Sequence, residues 1–281
     1  DPPNIIIGSR VGLTFNQFVL NLFIPVFISF FVALAIIWAM NRGSFRAIDR
    51  SLAKLFSVEL LLEKIRFQFV RSPLNPPLVK KSVACLSLAI ALFVTQTITG
   101  LSPGIAAVFS AMILLTISRV NVEKVLEEVE WSTLLFFSGL FILVGALEEQ
   151  GVIEWIATNV FLSLGDNPYL MVLSVLWVSG LASGFLDNIP FTITMVPVVQ
   201  MMLAESPIPN DILWWALALG ACFGGNLTMV GASANIVAVG SAKQSGVNVS
   251  FLEFMKASAL VTFASLTIAS IYLVLYLRFS L

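Results

Sequence analysis

Two stretches of this 281-residue chain place polar groups and loose backbone inside otherwise apolar runs. The first reads Ser179-Gly180-Leu181-Ala182-Ser183-Gly184-Phe185-Leu186-Asp187-Asn188-Ile189-Pro190-Phe191-Thr192-Ile193-Thr194. A carboxylate at membrane depth costs at least about 2.5–3.5 kcal/mol on insertion scales, so it has a role or a partner. Asp187 is the only carboxylate at such a depth apart from Asp1 at the chain start. It can bind a cation or a proton, or it can cap the amides of a returning half-helix; the two roles are compatible. Small residues before it and Pro190 after it predict a re-entrant hairpin with its tip at Asp187 to Pro190. The second stretch runs from Gly220 to Asn235 and holds Gly224, Gly225, Asn226, Thr228, Gly231, Ser233 and Asn235. Glycines permit unwound backbone, which is tolerated at this depth only against protein or a watery cavity. Freed carbonyls there can coordinate a cation, and the half-helix beginning near Ser233 can turn its N-terminus to an anion. A tight crossing of small-residue helices would give the same composition.

The elements that position these groups are membrane spans. Hydrophobic residues make up 58% of the chain and charged ones 11%, against roughly 45–50% and about 25% in soluble domains. A soluble globule is excluded, and the fold class is an all-α polytopic membrane protein. Long apolar runs predict spans at Phe15 to Met40, Ser82 to Thr99, Pro103 to Ser118, Trp131 to Leu147 and Phe251 to Leu277. The broken runs are Tyr169 to Ala204 and Ile212 to Ala242. A formal net charge of -1 leaves no basic face for nucleic acid. Without histidine, imidazole catalysis and histidine metal sites are out. Cys85 and Cys222 lie in apolar runs and read as small buried hydrophobes.

Nine of the fifteen Lys and Arg fall in 41–81, which places that connector in the cytoplasm. Threading from there puts 119–130 and 243–250 on the same side, and 148–168 and 205–211, acidic and free of Lys and Arg, on the other. The basic connector reads as a solvated amphipathic loop with a secondary capacity for anionic lipid. Segment 153–164 reads as an interfacial helix.

An internal repeat runs through the chain. Asn4-Ile5 matches Asn235-Ile236, Gly8-Ser9 matches Gly240-Ser241, Gly12 matches Gly246, and Phe15 and Phe18 match Phe251 and Phe254. Each copy leads into one long apolar helix. The second of these helices is the fifth crossing after the first, the hairpin counting as none, so the second copy is inverted relative to the first. Inverted repeats with broken helices are a mark of alternating-access carriers. The expected organisation is 1–40 as the end of the first repeat, 41–81 as connector, and 82–281 as the second repeat. The opening Asp1-Pro2-Pro3-Asn4 reads as the middle of a motif, and the chain as the C-terminal part of something longer.

The strings VEWSTLLFFSGLFILVGALEEQGVIEW, LDNIPFTITMVPVV and ALALGACFGGNLTMVGASANIVAVG, with the opening DPPNIIIGS, closely resemble the P protein of pigment cells and the wider arsenite-pump and citrate-transporter-like branch of ion transporters. The resemblance implies two inverted repeats, each with a re-entrant hairpin and a discontinuous helix, assembled as a dimer. Matched position by position, Asp187 and Asn188 correspond to the hairpin-tip pair. Gly231, Ser233 and Asn235 correspond to the second unwound loop, and Asp1 and Asn4 to the loop of the first repeat.

The expectation is a secondary active transporter of small ions, not an enzyme, in the cell membrane of a prokaryote or in an organelle or plasma membrane of a eukaryote. Asp187, Asn188, Thr192, Asn226, Thr228, Gly231, Ser233, Asn235, Asp1 and Asn4 form its substrate and ion site. The coupling ion is Na+ or H+, with no other cofactor, and the partners are membrane lipid and a small inorganic, metalloid or carboxylate ion. No nucleotide-binding motif occurs, so an ATPase subunit is not indicated. The alternatives are a Na+/H+ antiporter of the same fold and an ion channel; an intramembrane hydrolase lacks its second carboxylate or its Ser/His pair.

Overall fold

The computed structural model describes residues 2–40, 42, 76–127, 129, 131–161, 167–205, 211–244 and 246–280. Asp1 and almost all of the 41–81 connector lie outside the described residues. Among the described residues every regular element is helical: α1 (Pro2–Val11), α2 (Phe15–Met40), α3 (Pro76–Val94), the single turn α4 (Gln96–Thr99), α5 (Pro103–Ser118), α6 (Val122–Glu127), α7 (Trp131–Glu149), α8 (Val152–Ile156) with a π-helical turn at Ala157–Phe161, α9 (Pro168–Phe185), α10 (Asn188–Glu205), α11 (Ile212–Gly224), α12 (Ser233–Gln244) and α13 (Phe251–Ser280). Four helices are long and apolar enough to cross a bilayer unaided: Phe15–Met40, Pro76–Val94, Pro168–Phe185 and Phe251–Phe279. Their outward side chains, Leu20, Phe23 and Phe27 among them, are exposed, as lipid-facing residues are. The chain is an all-α, multi-pass integral membrane protein.

Helix ends follow local chemistry. Asn167 Oδ1 accepts from the Tyr169 amide at 3.0 Å, with Pro168 behind it at the first helical position, where its missing N–H costs nothing. The run predicted for 82–99 divides at Thr95 into α3 and α4. The predicted interfacial segment is α8 and its π turn, bent 73° away from α7 at Gly151, which takes a positive φ. Ile153, Ala157 and Phe161, four residues apart, are buried, while Trp155 faces out.

Two compact units are distinguishable, Asp1–Ile36 with Glu130–Leu281, and Ile37–Val129. In the first, α11 is the axis, with every residue from Ile212 to Ala221 buried. A helix apolar on all sides belongs at the centre of a bundle, and α9, α10, α13 and α1 pack around it. Phe18 of α2 meets Trp215 edge-on at 5.2 Å. Tyr272 Oη donates to the Asn21 carbonyl at 2.5 Å, and Trp177 Nε1 donates to Ser270 Oγ at 3.0 Å. In the second unit α3 and α5 form a hairpin whose buried residues, Cys85 and Ala89 against Ala106 and Ser110, are all small. Small side chains let helices approach closely where no hydrophobic force drives them together. Lys81 Nζ closes the open end by donating to the Ile117 carbonyl at 2.6 Å.

The repeated sequence has a repeated local structure. Gly12 ends α1 at φ 78° and Gly246 ends α12 at φ 83°, a backbone region that strains any residue with a Cβ. Each glycine is followed by a reciprocal capping box. The Thr14 amide donates to Gln17 Oε1 at 2.7 Å and the Gln17 amide returns to Thr14 Oγ1 at 3.4 Å. The Ser250 amide donates to Glu253 Oε2 at 2.9 Å and the Glu253 amide returns to Ser250 Oγ at 3.3 Å. Half-helix, left-handed glycine, capping box and long span thus occur twice in the same order.

Candidate functional site

Helix α9 ends at Phe185, two residues make the turn, and α10 starts at Asn188. Asp187 is the N-cap: its Oδ1 accepts from the Ile189 amide at 2.9 Å and its carbonyl from the Phe191 amide at 3.2 Å. Pro190 falls within the first turn of α10, where it removes no helical hydrogen bond. Thr192 is buried and back-bonds to the Asn188 carbonyl at 2.7 Å. The Asp187 carboxylate is half-buried, so one oxygen is engaged by the backbone while the group keeps an approach from outside.

The second break lies against this tip. α11 ends at Gly224 and α12 begins at Ser233. The Asn188 amide donates to the Gly231 carbonyl at 3.1 Å. Thr228 Oγ1, fully buried, donates to the Gly184 carbonyl at 2.6 Å and accepts from the Gly231 amide at 3.2 Å. One hydroxyl therefore bridges the end of the outgoing arm and the unwound loop, satisfying an orphan carbonyl and an orphan amide together. Asn235 Nδ2 donates back to the carbonyls of Gly225 and Thr228, both at 2.9 Å. Ser183 Oγ crosses from α9 to the Ala221 carbonyl at 2.7 Å, and Ser258 Oγ reaches the Leu227 carbonyl from α13 at 2.7 Å.

Backbones this close require glycine. A Cβ on Gly224 would overlap the Gly180 carbonyl, and one on Gly231 would stand 2.6 Å from the Gly225 oxygen and 2.9 Å from the Ser183 oxygen. The small-residue crossing and the unwound loop, alternatives in the sequence, are here successive parts of one structure. The α9–α11 crossing sets up the loop that follows it.

The structure thus brings together Asp187, Asn188, Thr192, Thr228, Gly231 and Asn235. Asn4 joins them through α1, accepting from Cys222 Sγ at 3.7 Å two residues before α11 ends. Asn226 and Ser233 are exposed; Asn226 Nδ2 makes only a long 3.4 Å bond back to the Cys222 carbonyl. Asp1 lies outside the described residues. Gly225, Leu227, Thr228 and Gly231 carbonyls, which the sequence offers as cation ligands, each accept a hydrogen from the chain itself. Among the described residues no three carboxylate, thiol or imidazole groups cluster. Sequence reasoning missed Ser183 and Ser258 as partners: a serine in an apolar helix reads as bonded to its own preceding turn.

A family profile described as citrate transporter matches residues 1–220, which takes in α1, the hairpin and most of α11. The chain belongs to the citrate transporter family. Relatives extend the likeness past the second break. A 46 kDa membrane protein of Mycobacterium leprae is 41% identical over 275 residues, 97% of this chain and 62% of that protein. An uncharacterised transporter of Mycobacterium bovis is 40% identical over the same shares. The human P protein is 41% identical over 179 residues, 60% of this chain and 21% of that protein. The chain spans about 62% of the length of the mycobacterial relatives it matches.

Proposed function

We propose that this chain carries the substrate and coupling-ion site of a secondary active transporter of small ions, most simply a carboxylate anion, moved by alternating access. The observation that supports this reading best is the pinning of a capped hairpin tip onto the break of a discontinuous helix, through Asn188 to Gly231 and Thr228 to Gly184. Broken helices that present an amide-rich start and a lone carboxylate are what an ion site inside a membrane needs. Asp187 takes up Na+ or H+, Asn188 and Asn235 shape the cradle, and the N-termini of α1 and α12 attract the anion. The family name and the transporter names of relatives point the same way. The two copies of half-helix, capping box and span are the ends of two inverted repeats, and the apolar outer faces meet lipid or a second subunit.

The test is uptake into proteoliposomes of the protein under imposed sodium or pH gradients, with citrate, arsenite, chloride and sodium offered in turn. Saturable, gradient-driven movement of citrate is expected. Large currents that saturate weakly and ignore the second gradient would make the protein a channel; sodium moving against protons with no anion would make it a Na+/H+ antiporter.

A further inference from the structure

A cavity of about 270 Å³ opens beside the hairpin, walled by single stripes of α1, α7 and α10. Its lining begins at Ile6 and Ile193, which lie at the depth of Asn4 and Thr192 on the same two helices. Its outer end holds Arg10, Glu148 and Gln200. Arg10 is the penultimate residue of α1, five residues before α2 begins at Phe15. In the threading read from the sequence, α2 crosses toward the basic connector, which puts Arg10 on the non-cytoplasmic side. A lone arginine there runs against the positive-inside bias and calls for a reason. The guanidinium lies over the Phe141 ring at 5.0 Å, and among the described residues it makes no ion pair, although Glu148 shares its cavity. A ring face holds a guanidinium in place while leaving its edge donors free, and those donors match a carboxylate in fork geometry. Gln200 adds an amide donor from the facing wall.

We infer that this cavity is an outer vestibule in which Arg10 and Gln200 hold the carboxylate of an incoming anion before it reaches the hairpin tip, while Glu148 limits the positive field and keeps the hold weak enough for release. The inference rests on the transport reading, which it extends by naming the entrance and the ligand class. Cavity walls of low dielectric focus the field of such a charge and raise the local concentration of its counter-ion by tenfold or more.

The experiment reads the vestibule without transport. Gly145 lines the cavity and has open space where a side chain would begin. A Gly145→Cys variant in sealed vesicles is treated from the non-cytoplasmic side with anionic sulfonatoethyl or cationic trimethylammonioethyl methanethiosulfonate, and modification at position 145 is followed by peptide mass. The ratio of anionic to cationic rate is expected to fall by about tenfold with Arg10→Gln, to stay near its starting value with Arg10→Lys, and to rise with Glu148→Gln. Citrate at millimolar concentration is expected to slow modification when Arg10 is present and not in Arg10→Gln. A ratio unmoved by Arg10→Gln or by Glu148→Gln, equal protection by citrate in both backgrounds, or modification only from the cytoplasmic side would overturn the inference. Vestibule behaviour as expected in a protein that moves no solute would defeat the transport reading alone.

Discussion

Thr228 does more than any other side chain to join the two breaks, because one hydroxyl serves a carbonyl of the hairpin and an amide of the loop. Thr228→Val keeps the shape and removes the bonds to Gly184, Val230 and Gly231, leaving buried partners unsatisfied at about 1–3 kcal/mol. Thermal unfolding in detergent should show a clear loss, with Thr228→Ser close to the parent; equal stability of the valine variant would contradict the bridging role. Asp187 separates two functions differently. Asparagine caps a helix about as well as aspartate, whereas alanine costs about 1 kcal/mol. Asp187→Ala should therefore lower the unfolding temperature and Asp187→Asn should not, which leaves the charge itself to be tested by transport. Asp187 and Thr228 were legible because polar side chains inside apolar runs stand out. The partner of Thr228 was not, since a hydroxyl bonding 44 residues away leaves no local pattern. Asn226 shows the converse limit: its type fitted a site, while its place in the turn after Gly224 aims it outward.

At the scale of elements, the α9–α11 crossing governs the site because α11 carries the loop directly from its C-terminus. Gly224→Ala would drive a methyl group into the Gly180 backbone, and neither helix can yield without separating Ser183 from Ala221. The expected cost is about 1–3 kcal/mol or more. Gly139→Ala, with nothing within 4 Å of the new carbon, should be neutral or slightly stabilising. Unfolding temperatures of the pair check the contrast, and equal effects would mean the crossing is not close-packed. The limits of the apolar runs were well marked in sequence: α2 and α5 coincide with the predicted runs, although α5, at 16 residues, is shorter than the four helices able to cross unaided, and both breaks fall where polar residues and glycine interrupt them. The boundary at Thr95 was hidden, because the apolar pattern continues through it. The face of α8 and its π turn was hidden too, since burial of Ile153, Ala157 and Phe161 depends on neighbours distant in sequence.

For the whole molecule, the decisive quantity is which side of the membrane each connection faces. The ends of α1, α7 and α10 that line one cavity agree with a threading in which all three point away from the basic connector. Cysteine placed at Leu60 should react with an impermeant maleimide from the cytoplasmic side and cysteine at Asp166 from the other; reaction of both from one side would overturn the threading and with it the inverted relation of the repeats. The two hairpin arms are equally long at 18 residues and α9 is the more apolar, and the parity of the repeats is the same whether the hairpin spans twice or not at all.

The most direct measurement is citrate flux through Asp187→Asn beside the parent protein in proteoliposomes, with and without an imposed sodium or proton gradient. If Asp187 is the coupling group at the centre of the site, the variant folds, its capping bond retained, and the gradient no longer accelerates uptake. Gradient-driven uptake equal to that of the parent would contradict the account and reduce Asp187 to a helix cap.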